Sequence, residues 1–491
     1  MNPCQINRRD LLNRWCVGFG GLALGGLLAE TSRAAATRGG TRPAVAGPAV
    51  KHVPATARRI IFLFMHGGPS HVDLFDPKPE LDRRNGEQPP FRRTRVQFAD
   101  RGNLLASPWK FRNTGKSGLP MSELWQHLPE VADELCMLHS VCDTNVAHGG
   151  ACMKLFTGSD STLRPSLGSW ISYGLGSENR NLPAFITICP SSLHGGVDNF
   201  GNAFLPSIHQ GVPLGEPGYP NTLARNARFD NLSSDFSTPA QQRRQLDFLH
   251  KINSQHHRQL GHDAGHPANS ELEARIQSYE MAFRMQTAAP EAIDLSGESS
   301  ATRQLYGLDD EKTGNFGRMC LLARRFAERD VRFVQVSHAH SLPFNNEQWD
   351  QHTHLKQGHE INVAQIDKPI TGLIKDLKQR GLLDETLVLW GGEFGRTPTA
   401  QAGDPNIIGR DHHPDGFTMW MAGGGVKGGY RYGKTDEFGY YAIENRMSIH
   451  DLHATILHLM GINHEELTYR HAGRDFRLTD VYGKVATDII A

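Results

Sequence analysis

Residues 386–398 read T-L-V-L-W-G-G-E-F-G-R-T-P, and after a polar loop residues 409–429 read G-R-D-H-H-P-D-G-F-T-M-W-M-A-G-G-G-V-K-G-G. Leu387 to Trp390 is an apolar run too short for a helix and closed by Gly391 and Gly392, the pattern of a buried strand. Glu393 follows at once, where a parallel strand hands side chains to a ligand crevice. The apolar run Phe417 to Ala422 predicts the neighbouring strand. Just ahead of it stand Asp411, His412, His413 and Asp415. A carboxylate after one strand and imidazoles before the next predict a site at one rim of a sheet.

The pattern extends outward along the chain. Arg59 to Met65 predicts the first buried strand. It runs into H-G-G-P-S-H-V-D-L-F-D-P-K-P from His66 to Pro79, whose glycine pair permits a sharp turn. Leu124 to Glu134 reads as a short amphipathic helix, Leu135 to Val141 as a strand, Ser166 to Gly174 as a helix and Pro183 to Ile188 as a strand. Asn315 to Arg329 has helical spacing of Phe316, Met319, Leu322, Ala323 and Phe326, and the strand Val331 to Val336 follows. Ile361 to Arg380 reads as a long amphipathic helix stopped by Gly381, and Ile449 to Met460 as the last helix. Polar helical sequence near 241–310 reads as an insertion in the domain. Strands alternating with helices specify an α/β fold, a mostly parallel central sheet with helices on both faces.

The chain has 491 residues, with 52 Lys plus Arg against 52 Asp plus Glu. A net charge of zero argues against a general nucleic-acid binder. Residues 1–37 carry a twin-arginine start, Arg8-Arg9, an apolar segment from Val17 to Leu28 and small residues at Ser32 to Ala36. This is the pattern of a twin-arginine signal peptide, implying a bacterial protein exported to the periplasm or beyond. No later segment is long and apolar enough to span a bilayer. Residues 38–57 read as a flexible leader, and 58–491 as the domain. Five cysteines follow the signal, Cys136, Cys142, Cys152, Cys189 and Cys320, with no C-x-x-C pair.

The chemistry-bearing residues are Asp, Glu and His. Oxygen and imidazole donors suit zinc, manganese, magnesium or calcium. Asp350 has a histidine two residues on, His352, and another four residues on, His354, and either spacing brings two side chains to one ion. His338 and His340 stand beside a predicted strand end as further ligand or substrate candidates. Arg396 and Arg410 flank the cluster and have the geometry to clamp an oxyanion bidentately. Lys427, in a glycine-rich turn, is a candidate for an anionic ester.

Taken together, these motifs resemble the domain-of-unknown-function 1501 family of planctomycete-type bacteria, a branch of the alkaline phosphatase and sulfatase superfamily. The resemblance rests on the twin-arginine start, G-G-P-S-H-V-D-L-F-D-P-K-P at Gly67, W-D-x-H at Trp349, G-G-E-F-G-R-T-P at Gly391, G-R-D-H-H-P at Gly409 and H-D-L-H-A-T-I-L-H-L-M-G ending at Gly461. It implies a metal ligand after the first strand, matched best by Asp73, with His66 and Asp76 as alternatives. It implies an acid and histidine after a late strand, where Glu393 matches the acid but Phe394 stands at the histidine. A final histidine matches His412 or His413. Sulfatases carry Cys or Ser in C/S-x-P-x-R upstream of a Leu-Thr-Gly turn. Setting that turn on Phe156-Thr157-Gly158 puts His148 at the nucleophile and Cys152 at the arginine.

The expectation is therefore an exported, metal-dependent hydrolase of sulfate or phosphate esters. Asp73, Asp350, His352 or His354, Glu393 and His412 or His413 would bind one or two divalent ions. His148, Arg396 and Arg410 would serve catalysis, and the substrate would be an anionic ester or a sulfated polysaccharide. The alternative is a non-catalytic protein on the same scaffold that binds metal or anionic glycan.

Overall fold

The run Arg59–Met65 forms strand β1, and all seven of its residues are buried. Burial on both faces is what a near-continuous apolar run requires of a central parallel strand. The structure, a computed structural model, describes residues 53–91, 102–233, 236–259, 267–339, 348–401 and 408–491. The signal peptide, all of the leader before residue 53 and His340 lie outside the described residues.

Ten further strands complete the frame of the site. They are β2 (Leu135–Cys142), β3 (Phe185–Ile188), β4 (Val212–Leu214), β5 (Phe333–His338), β6 (Thr386–Gly391), β7 (Gly395–Ala400), β8 (Arg410–His413), β9 (Phe417–Ala422), β10 (Tyr430–Tyr432) and β11 (Met447–Ser448). The main sheet has nine strands in the order β10-β2-β9-β6-β1-β5-β3-β4, with β11 also pairing to β2. β1 pairs parallel with both β5 and β6. Only β9 runs against its neighbours, antiparallel to β2 and to β6. β7 and β8 form a separate antiparallel ribbon. This ribbon leaves the sheet after β6 and returns at the start of β9, so both of its ends sit at the rim where β1, β2 and β5 finish.

Seven helices matter here: α1 (His148–Thr157), α2 (Leu167–Leu175), α3 (Pro239–Gln259), α4 (Pro267–Ile293), α5 (Gly314–Glu328), α6 (Leu355–Gln379) and α7 (Ile449–Leu459). Side chains alternate across β1. Ile61, Leu63 and Met65 join a core with Phe316, Met319 and Phe326 of α5 and Ile366, Ile370 and Leu373 of α6. Ile60, Phe62 and Phe64 join a second core with Leu155 and Phe156 of α1, Trp170 of α2 and Ile456 of α7. Each such side chain contributes about 1.5–3 kcal/mol on burial. The sheet is thus covered on both faces, the mostly parallel α/β architecture that the sequence predicts.

Element boundaries differ in places. The predicted helix over 124–134 is a 3₁₀ segment, Leu128–Glu134, interrupted at Val131 (φ −121°). Helix α6 starts at Leu355, six residues before the predicted Ile361. Its first turns carry Gly358, whose backbone packs on Gln351, so they lack the apolar spacing that marks the rest. The insertion near 241–310 contains α3 and α4, joined by paired hydrogen bonds from Arg243 to Glu280. The five described cysteines are all buried and unbridged. Among the described residues no helix is long and apolar enough to cross a membrane.

Candidate metal centre

Gly67 and Gly68 follow β1 with φ of 109° and 77°, a conformation open to glycine at little cost. A Cβ on Gly67 would lie 2.6 Å from the Asp350 nitrogen, and one on Gly68 would lie 2.6 Å from the Phe394 ring. The glycine pair therefore admits two neighbouring segments to the end of β1. One is the backbone at Trp349 and Asp350, held by Trp349 N–H donating to the His66 carbonyl at 3.0 Å. The other is Glu393, whose two carboxylate oxygens accept from Gly67 N–H at 3.0 and 3.2 Å.

Four side chains from three segments meet at this rim: His148 at the start of α1, Asp350 and His352 ahead of α6, and His412 on β8. Their ligand atoms all lie within 4.8 Å of one another. Asp350 Oδ1 is 3.2 Å from His148 Nε2, 2.9 Å from His352 Nε2 and 3.1 Å from His412 Nε2. Arg396 Nη2 also reaches it, at 2.5 Å.

The far nitrogen of each imidazole has its own partner. His412 Nδ1 is 2.6 Å from the Val146 carbonyl oxygen, which can only accept, so Nδ1 carries the proton and Nε2 the lone pair. His352 Nδ1 contacts Gln401 Oε1, and His148 Nδ1 lies 2.5 Å from Glu393 Oε1. Such outer partners fix the ring and the tautomer of a metal-ligating histidine. The Nε2 atoms of His352 and His412 face each other at 2.9 Å, an arrangement that a shared cation or proton stabilises. Three imidazole nitrogens and one carboxylate oxygen, each imidazole with a second partner, fit a divalent ion with nitrogen and oxygen ligands.

Electrostatics agree. Burial would push the Asp350 carboxyl up, but Arg396 and the three histidines hold it well below the usual carboxylate range. Burial likewise opposes the charge on Glu393, and His148 brings its pKa down to about 2. Burial lowers the His148 pKa, but Asp350 and Glu393 outweigh it and raise it to about 9. His412 is pulled down to about 4 by burial, against the pull of Asp350. His148 and Arg396 together thus balance the charge of the two carboxylates.

The other expected ligands go elsewhere. Asp73 is fully buried and paired with Arg410, whose Nε and Nη2 donate to its two oxygens at 2.7 and 3.0 Å, and Ser70 adds a third donor at 2.5 Å. It is therefore a closed ion pair outside the cluster. His354 caps α6 with a left-handed φ of 56° and contacts the Thr353 hydroxyl. His413 contacts the Tyr440 carbonyl, because adjacent residues of a strand point to opposite faces and His412 takes the face toward Asp350. His338 is the last residue of β5, buried and bonded to Trp349 Nε1 and Gln365.

The arginines are also committed internally. Arg396 donates to the Gly67, Gly68 and Arg410 carbonyls as well as to Asp350, and Arg410 to Asp73 and two carbonyls. Neither is the open anion clamp that the sequence predicts. Lys427 donates to the Asp488 carbonyl at 2.9 Å.

Glu393 belongs to an adjacent group with His66 and Cys152, and it touches the first group only through His148. His194, on the loop after β3, stacks on His148 with ring centroids 4.5 Å apart and lies 5.0 Å from His66. The sequence reading passed over His194, since nothing in the loop-like composition of 190–240 distinguishes it. Phe394 stacks on His412 at 4.5 Å and walls the cluster with an apolar ring.

A family model described as a protein of unknown function, DUF1501, matches residues 57–490. No curated protein matches the sequence. Among solved structures the chain is similar to the lipoteichoic acid synthase LtaP from Listeria monocytogenes, at 9% identity over 88% of this chain and 78% of that one, with a TM-score of 0.36. It is similar to the PsFucS1 sulfatase from Pseudoalteromonas sp., at 12% identity over 83% and 68% of the two chains, TM-score 0.34. It is similar also to alkaline phosphatase from the Antarctic bacterium TAB5, at 11% identity over 82% and 98%, TM-score 0.30. TM-scores this low carry no argument about the chemistry.

Proposed function

The chain belongs to the DUF1501 family, whose description names no activity, and from its site we propose an exported, metal-dependent hydrolase of sulfate or phosphate esters. The observation that carries this is the convergence of His148, Asp350, His352 and His412 at the carboxyl rim of the sheet. These four side chains would hold a divalent ion, which would supply Lewis acidity toward an ester oxygen and acidify a water. The protein's own part is positioning. Arg396 steadies Asp350, Gln401 and Val146 steady His352 and His412, and Phe394 keeps water from one side. The positive end of the α1 dipole, at His148, favours an anionic group. On this reading His194, half-buried against His148, would pass a proton to the leaving oxygen. Export through the twin-arginine start would bring the protein to esters outside the cytoplasm, sulfated polysaccharides among them.

A second reading, a binding protein for metal or anionic glycan, is favoured by one observation. Arg396 and Arg410, the guanidinium groups nearest the site, are both taken up by internal carbonyls and carboxylates. Metal analysis of purified protein, followed by turnover of aryl sulfate and aryl phosphate with and without chelator, separates the two. Turnover that disappears on chelation and returns with a single divalent ion is expected. Bound metal without turnover of either ester moves the protein to the second reading. A metal-free protein whose thermal stability ignores zinc, manganese and calcium refutes the hydrolase and any metal-binding role, leaving only the glycan-binding form of the second reading.

A further inference from the structure

His66, Cys152 and Glu393 come together directly beneath the first cluster, with their ligand atoms within 4.8 Å of one another. They are 1%, 0% and 2% exposed. His66 ends β1, Glu393 follows β6 and Cys152 lies on α1, one turn after His148 and on the same helix face. One imidazole joins the two groups, since His148 Nε2 faces Asp350 and His148 Nδ1 faces Glu393.

We infer that His66, Cys152 and Glu393 hold a second metal ion, and that the sulfur donor makes it a zinc-type ion. This rests on the proposed metal centre and extends it, because it fixes the number of ions and the class of one of them. A nitrogen, a sulfur and a carboxylate oxygen are the donor types of catalytic zinc, which takes three protein ligands and leaves a fourth position open. Magnesium and calcium prefer oxygen and are poor partners for a thiolate. Binding the ion replaces the Cys152 S–H bond with a metal–sulfur bond and sends the proton to solvent. The shared contact of His148 with Asp350 and Glu393 would set the second ion beside the first. The thiol that the sulfatase comparison sets at the arginine position thereby becomes a ligand.

Cobalt(II) reports this directly, because a thiolate bound to cobalt gives a charge-transfer band in the near ultraviolet that nitrogen and oxygen ligands do not. The full chain, stripped by chelator and titrated with cobalt(II), should bind two ions, one of them bringing up the band. Cys152→Ala should bind one ion and show no band. His352→Ala should also bind one ion but keep the band. A wild-type protein that takes up two ions without the band overturns the inference, as does Cys152→Ala that still binds two. One ion in the wild type, lost in His352→Ala, also overturns it and leaves the first metal centre standing. Because the wild-type spectrum alone decides whether sulfur is a ligand, a poorly folding variant does not remove the test.

Discussion

Two aspartate–arginine pairs lie beyond the end of β1, one buried and one partly open, and they are built for opposite purposes. In the Asp73–Arg410 pair both carboxylate oxygens are taken by one guanidinium, with Ser70 beside it, and neither side chain is exposed at all. In the Asp350–Arg396 pair one guanidinium and three imidazole nitrogens, the nitrogens of the candidate metal centre, crowd a single oxygen. The first pair is complete as it stands. In the second, a lone pair on His412 Nε2 faces the carboxylate oxygen, and a cation between them would relieve the repulsion. Burial would raise the Asp73 carboxyl, and Arg410 and Ser70 hold it below the usual range. The same residue types thus give a structural tie in one place and a binding site in the other.

The comparison breaks most visibly at Arg410. Arg410→Met strands the Asp73 charge and should cost about 3–5 kcal/mol, read as a lower urea midpoint, whereas Asp73→Leu with Arg410→Met should recover most of it. If the single and double variants are equally unstable, the pair is not the closed unit described. Acid tests the same pair. Asp73 has a depressed folded pKa, so its stabilisation is full above the unfolded carboxylate value of about 3.9 and is lost as the pH falls through the folded one. The double variant should therefore lose less stability than wild type between neutral and acid pH.

Asp350→Asn should leave the fold intact and weaken metal binding by ~100-fold or more, since even outer partners of a ligand are worth ~10–100-fold. Isothermal titration with zinc measures this, and unchanged affinity would remove Asp350 from the ligand set. Gln401→Ala, which removes only the partner of His352 Nδ1, should lose about 10-fold in the same titration. His354→Ala is the smallest test. It should change stability by no more than about 0.5 kcal/mol and leave the metal content alone, and a loss of metal would restore the longer Asp-x-x-x-His pairing.

Much of the frame is readable from the chain. β1 and β9 coincide with the predicted runs because a strand buried on both faces writes an uninterrupted apolar segment. The site is harder to read, for reasons particular to each residue. An Asp-x-x-x-His pair presupposes helical spacing, but Asp350 precedes α6, and there the nearer His352 joins Asp350 and His412 while His354 contacts Thr353 at the cap. Asp73 and Asp350 look alike in sequence, and only the choice of arginine partner separates them. His412 and His413 differ by one position in a strand, so the register alone decides between them. Cys152 gives a usable signal, four residues after His148, once α1 is known to be a helix.

The lone reversal of β9 has one more consequence. β6 and β9 already pair as the two arms of a hairpin, so the stretch between them, carrying Glu393, Arg396, Gln401, Arg410 and His412, leaves and rejoins the sheet at neighbouring strands. Its length and sequence can change without reordering those strands, provided Arg396 and Arg410 keep their ties to the segment that follows β1.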